Sequence, residues 1–234
     1  MSSSRIKIIC LPCAGGSSTY FHRLRDQISA FADVILIDYA GHGTRMDETL
    51  NKNLDELISD VSGIIKKRIQ DNNYCILGYS MGSLIAYILA ANPQYQVNPK
   101  HLFLVAFQSP DLVKEERFLV NKAINDEAFI ERYANIDQRI LKDKRFESIY
   151  LDPLRNDFRI LCSYQVGLYR PLSCKITAIY GEDDFSYTDI IGWNKYTVSK
   201  TEVVSMPGRH FFLNENLEAI GDLLRNCCVE ELNQ

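Results

Sequence analysis

Gly78-Tyr79-Ser80-Met81-Gly82 constrains the fold of this chain more than any other stretch. It has the form G-x-S-x-G, and its flanks give the pattern meaning. Tyr74–Leu77 before it is short, apolar and suited to a buried strand. Ser83–Ala91 after it is apolar almost all round and rich in helix formers, as a buried helix would be. Strand, sharp turn, helix is the setting of a nucleophile elbow, in which the turn lifts a serine hydroxyl clear of the sheet. Gly78 and Gly82 leave room where so tight a turn has none for a side chain. The Met81 N–H, at the start of the helix, then points to where an oxyanion would form.

The rest of the chain repeats the alternation. Strands are expected at Arg5–Leu11, Val34–Asp38, His101–Phe107, Ile176–Tyr180 and Glu202–Ser205. Helices are expected at Tyr20–Ala30, at Leu54–Gln70 with its apolar residues in helical spacing, and at Leu217–Leu224. Such an order implies an α/β fold, with a mainly parallel sheet covered on both faces. Between about Pro110 and Pro171 no strand is legible, only charged segments carrying aromatics, which reads as a helical insertion over the site. The expected organisation is one domain over residues 1–234, with a lid insertion at about 110–172.

Composition excludes several functions. A net charge of −4 argues against nucleic acid or an anionic membrane as the main partner. No apolar run reaches the length of a bilayer span, and Ile6–Pro12 is too short and too charged for a signal peptide, so the protein is expected in the cytoplasm. Seven cysteines without a compact framework fit buried thiols in a reducing compartment. Cys10-Leu11-Pro12-Cys13 has C-x-x-C form but straddles a strand end rather than opening a helix, and Cys227-Cys228 sits near an expected frayed terminus. Neither metal nor cofactor is therefore expected.

A serine needs a base, and the base needs an acid to fix its tautomer. In this arrangement the chain order is serine, acid, histidine. His101 comes too early to follow an acid, which leaves His210, in Pro207-Gly208-Arg209-His210-Phe211-Phe212, as the base. Asp184, three residues past the strand-ending Gly181, is the expected acid, with Asp183 as the alternative. Asp38 also ends a strand but precedes Ser80 and breaks the order. The second oxyanion donor is expected from Pro12-Cys13-Ala14-Gly15-Gly16, through the Ala14 N–H. That loop has neither G-x-G-x-x-G nor a G-K-[ST] ending, so it is a weak nucleotide site. His22 reads as a surface residue, and His42 lies in a loop placed to line the site.

With these residues placed, the chain resembles the type II thioesterases of the α/β-hydrolase superfamily, the stand-alone editing enzymes of nonribosomal peptide and polyketide synthesis. The resemblance spans nearly the whole chain. It rests on Leu11–Gly16 with Tyr20-Phe21, on Gly41–Arg45, on the elbow, on Pro153-Leu154-Arg155-Asn156-Asp157-Phe158 with Tyr164, on Gly181–Asp184 with Trp193, and on Pro207–Leu213. The departures are Cys13, where the family often has His, His42, where it often has Arg, and Arg209, where it often has a second glycine. The resemblance implies a mobile lid and a monomeric enzyme without a cofactor. The implied substrate is an acyl group on the phosphopantetheine arm of an acyl or peptidyl carrier protein domain. Basic residues between Lys114 and Arg145 are a candidate docking patch. The rival expectations are an esterase or a fatty acyl chain-terminating thioesterase on the same scaffold, and a non-catalytic binding protein.

Overall fold

The structure, a computed structural model, describes residues 5–69, 73–112, 147–165, 167 and 169–232. Among them six strands form one sheet: β1 (Ile6–Leu11), β2 (Ala32–Leu36), β3 (Tyr74–Tyr79), β4 (His101–Val105), β5 (Lys175–Gly181) and β6 (Thr201–Met206). Every pairing is parallel, in the order β2-β1-β3-β4-β5-β6. The longer helices are α1 (His22–Ile28), α2 (Leu54–Arg68), α3 (Met81–Ala91), α4 (Asp152–Ser163) and, after the four-residue α5 (Tyr187–Ile190), α6 (Leu217–Leu232).

Strand alternation sorts the core into two layers. Ile6, Ile8 and Cys10 of β1 point with Cys75, Leu77 and Tyr79 of β3 to the face covered by α1 and α6. Ile9 and Leu11 point with Tyr74 and Ile76 to the face covered by α2 and α3. Both faces are dry, which explains why the central strands read as continuous apolar runs. Helix α3 lies deepest, with all its residues but Ala90 buried. Helix α2 is amphipathic and capped: the Asn53 side chain accepts from the Glu56 N–H at 2.9 Å. Asp55 and Glu56 open it and Lys66, Lys67 and Arg68 close it, matching the helix dipole.

The sheet order reverses direction at β1, since β2 lies on one side of it and β3 on the other. This puts the loops after β1 and β3 side by side at the carboxyl end of the sheet, where open α/β sheets bind ligands.

The expected elements are present with shifted ends. Strand β2 begins at Ala32 rather than Val34, and the segment read as one helix from Tyr20 opens with a 3₁₀ turn, Ser18–Phe21. The final helix does not stop at Leu224. It continues through Cys227 and Cys228, which are buried against the sheet rather than frayed. Most of the expected lid, residues 113–146 with its basic patch, lies outside the described residues. Its described C-terminal part is a π-helical turn, Glu147–Leu151, running into α4.

Trp193 is fully buried. It packs edge-on against Tyr87 at 5.5 Å and Tyr196 at 5.7 Å, and its Nε1–H donates to Phe107 O at 3.0 Å. Trp193→Ala should cost about 3–5 kcal/mol of stability, measured by urea unfolding. A loss below about 1 kcal/mol would mean that this ring is not a keystone of the α3 face.

Candidate active site

The elbow forms where β3 meets α3. Ser80 has φ 51° and ψ −116°, a left-handed conformation that a non-glycine residue adopts only when its surroundings hold it there. Those surroundings are visible. The Ser80 N–H donates to Val105 O at 2.7 Å, across to β4. The fully buried Ser83 hydroxyl donates to Gly78 O at 2.7 Å and accepts from the Val105 N–H at 3.0 Å. The glycines serve close approach. A Cβ on Gly78 would lie 2.3 Å from Gly82 O, and one on Gly82 would lie 2.1 Å from Leu11 O. Gly82 therefore allows the start of α3 to press directly on the end of β1.

His210 and Asp184 come from the loops after β6 and β5, which are zipped together. The Glu182 N–H donates to Met206 O at 3.0 Å, and the Asp183 N–H to Gly208 O at 3.1 Å. His210 Nε2 lies 3.1 Å from Ser80 Oγ, and its Nδ1 lies 2.7 Å from Asp184 Oδ2. With the carboxylate accepting from Nδ1–H, Nε2 is left as the acceptor that faces the serine hydroxyl. The Tyr79 hydroxyl donates to His210 O, and Phe211 stands edge-on to the imidazole at 5.2 Å. Asp183 is exposed and spends its backbone on the loop contact, so of the two candidate acids Asp184 is the one bonded to the histidine. The turn decides this: the N–H groups of Asp184 and Phe185 both donate to Gly181 O, at 3.0 and 3.2 Å.

The loop after β1 lies beside the elbow, since Leu11 pairs with Gly78. Its Gly16 N–H donates to Cys13 O at 3.0 Å, and its Gly15 N–H to Asp157 Oδ2 at 2.8 Å. Both glycine donors are thus committed, one within the loop and one to α4. A cavity of about 620 Å³ opens next to this loop between Ala14, Tyr20, Met46, Tyr150, Leu154 and Phe211. That volume is ordinary for a small-molecule site.

Other candidates have different work. Asp38 is buried and accepts from the Ser18 N–H at 2.6 Å, Ser18 Oγ at 2.9 Å, the Thr44 N–H at 2.9 Å and Thr44 Oγ1 at 2.7 Å. Burial opposes its charge, but these bonds outweigh burial and hold its carboxyl below the usual range. It ties two loops together and does not touch His210. His101 is buried against Phe103, with Nε2 2.8 Å from Thr177 Oγ1, and burial pushes it down to about 4. His22 is exposed on α1. Burial pushes the Cys13 thiol up to about 12 and the Cys10 thiol upward as well, so neither supplies a thiolate. The contact sequence reasoning missed is Asp157, 2% exposed, against Gly15 and His42. Only the family motif containing Asp157 pointed to it.

The chain matches the thioesterase domain family over residues 6–227. The chain belongs to that family. This thioesterase is 31% identical over 224 residues to the gramicidin S biosynthesis protein GrsT of Aneurinibacillus migulanus, covering 92% of this chain and 86% of that one. It is 26% identical to the medium-chain S-acyl fatty acid synthase thioesterase of Homo sapiens, covering 88% of this chain and 80% of that one. Among solved structures it superposes on ClbQ, from the colibactin nonribosomal peptide and polyketide pathway, with a TM-score of 0.86 and 25% identity. That match covers 98% of this chain and 99% of the other. The fold is that of the α/β-hydrolases, and the protein is a hydrolase of the thioester class.

Asp184→Asn should lower kcat by up to about 10⁴-fold, because an amide favours the wrong imidazole tautomer. Asp183→Asn should change kcat by less than about tenfold. Steady-state kinetics on a thioester checks both, and the reverse ranking would transfer the acid's role to Asp183.

Proposed function

We propose that this thioesterase removes acyl groups from the phosphopantetheine arms of carrier protein domains, through an acyl intermediate on Ser80, and so clears mis-primed or stalled carriers. The observation that carries the reading is the continuous contact from Asp184 through His210 to Ser80, at 2.7 and 3.1 Å. In the first half-reaction His210 Nε2 takes the Ser80 proton as Oγ bonds to the thioester carbonyl carbon. The carbonyl oxygen becomes an oxyanion facing the N–H groups of Met81 and Ala14. Collapse breaks the C–S bond. The sulfur leaves and takes the proton from the imidazolium, which restores neutral His210; with a reference pKa near 8.5 the thiol needs less such help than an amine would. In the second half His210 takes a proton from water, the hydroxide attacks the ester carbonyl, and Ser80 leaves with the proton as the free acid departs.

The editing role is supported by the relatives named for nonribosomal peptide and polyketide pathways. A fatty acyl substrate is the second reading, supported by the medium-chain relative. The same acyl group presented on a holo carrier protein, on coenzyme A and as a nitrophenyl ester separates the possibilities. The expected result is highest kcat/KM on the carrier, with Ser80→Ala falling to the residual level, about 10³–10⁴-fold over water, that binding and the oxyanion hole alone give. Equal rates on carrier and coenzyme A, rising with chain length, would favour the fatty acyl reading. Substantial turnover by folded Ser80→Ala would overturn the mechanism.

A further inference from the structure

Asp157 sits on α4, far along the chain from the elbow, and is 2% exposed. A carboxylate so placed is costly unless its partners compensate. Two partners face it, and both come from loops at the carboxyl end of the sheet. The Gly15 N–H donates to its Oδ2 at 2.8 Å, and His42 Nε2, itself 3% exposed in its side chain, lies 3.0 Å from the same oxygen. The imidazole contact is set off the line of a straight hydrogen bond, and it is an ion pair when the ring is protonated.

The fit between α4 and the Gly15 loop is close. Gly15 has φ +65°, and a Cβ there would lie 2.7 Å from the Leu154 Cβ. Leu154 and Asp157 are three residues apart, so they share a face of α4. One grips the loop by shape and the other by charge. A third link, Asn156 Nδ2–H to Asn51 O at 2.9 Å, ties α4 to the segment that precedes α2.

We infer that Asp157 is a positioning residue for the oxyanion hole: its carboxylate, paired with His42, holds the Gly15 peptide and thereby aims the neighbouring Ala14 N–H. This rests on the serine mechanism proposed above. The state of His42 matters because Nδ1 lies 3.0 Å from Ala40 O and must donate to it. A neutral ring would then turn a bare Nε2 lone pair toward a carboxylate oxygen, so the arrangement fits the doubly protonated ring. The groups facing that ring are Asp157 from α4, Asp38 and the edge-on Tyr39 from its own loop, and the neutral Cys13 thiol beside Asp157. Burial works against the imidazolium, the Asp157 and Asp38 carboxylates and the Ala40 carbonyl work for it, and the balance lifts His42 above an ordinary imidazole. The clamp is thus complete below that raised value and weakens as pH rises through it.

The test compares wild type with Asp157→Ala, Asp157→Asn and His42→Gln on one thioester, from about pH 6 to about pH 9. Asp157→Ala should lose on the order of 10- to 100-fold in kcat, short of the 10²–10³ that deleting an oxyanion donor costs, with KM changed less than about threefold. Asp157→Asn keeps an acceptor for Gly15 and should lose less. The wild type should show an alkaline fall in kcat that is absent from both Asp157→Asn and His42→Gln. Circular dichroism verifies folding, and if Asp157→Ala does not fold, the two conservative variants decide. Unchanged kcat in Asp157→Asn, equal changes in kcat and KM, or an alkaline fall surviving in His42→Gln would each overturn the inference. A wild type that hydrolyses thioesters and loses this with Ser80→Ala keeps the serine mechanism standing whichever way these variants behave.

Discussion

The structure depends on the parallel pairing of β1 with β3 at the point where the sheet order reverses. Leu11 pairs with Gly78, and Gly82 fits so tightly against Leu11 O that no side chain could take its place. This one approach brings the start of α3 and the glycine-rich loop together. Backbone from distant parts of the chain thus meets at the carboxyl end of the sheet, beside Ser80. Because both strands are buried on both faces, the approach is set by the core and not by flexible surface contacts. Such rigid placement is what electrostatic stabilisation of an oxyanion requires.

Ser80, His210 and Asp184 add to this frame from three different strand ends. Ser80 is held in a strained conformation worth about 1–3 kcal/mol, offset by Ser83 and by the Val105 contacts to β4. His210 is fixed at its ring by Asp184 and at its carbonyl by Tyr79. The aromatic shell of Tyr20, Tyr79, Phe211 and Phe212 fills the space behind it with stiff side chains.

What the sequence made legible followed from local rules. The elbow reads directly because its glycines, strand and helix lie within one short window. His210 and Asp184 follow as candidates from chain order and the strand end before Asp184, since few histidines come after Ser80. Which of Asp183 and Asp184 reaches His210 depends on how the turn after Gly181 folds back, and the hydrogen bonds there bring Asp184 to it. Helix ends were less legible. Cys227 and Cys228 looked like a frayed end because sequence could not show that the sheet has a dry surface waiting for them. Asp157 was legible only as part of a family motif. Its partners are a backbone N–H and a histidine more than a hundred residues away, and no periodicity announces a contact of that kind.

The central claim is that Ser80 carries the covalent step, and active-site titration tests it most directly. A fluorophosphonate probe mimics the tetrahedral intermediate and bonds fastest to a serine activated by its base and oxyanion donors. Peptide mass mapping after titration should place one probe per chain on Ser80, with thioester hydrolysis falling in proportion to labelling. Full hydrolytic activity in protein whose Ser80 is completely labelled, or labelling at another residue with loss of activity, would contradict the account.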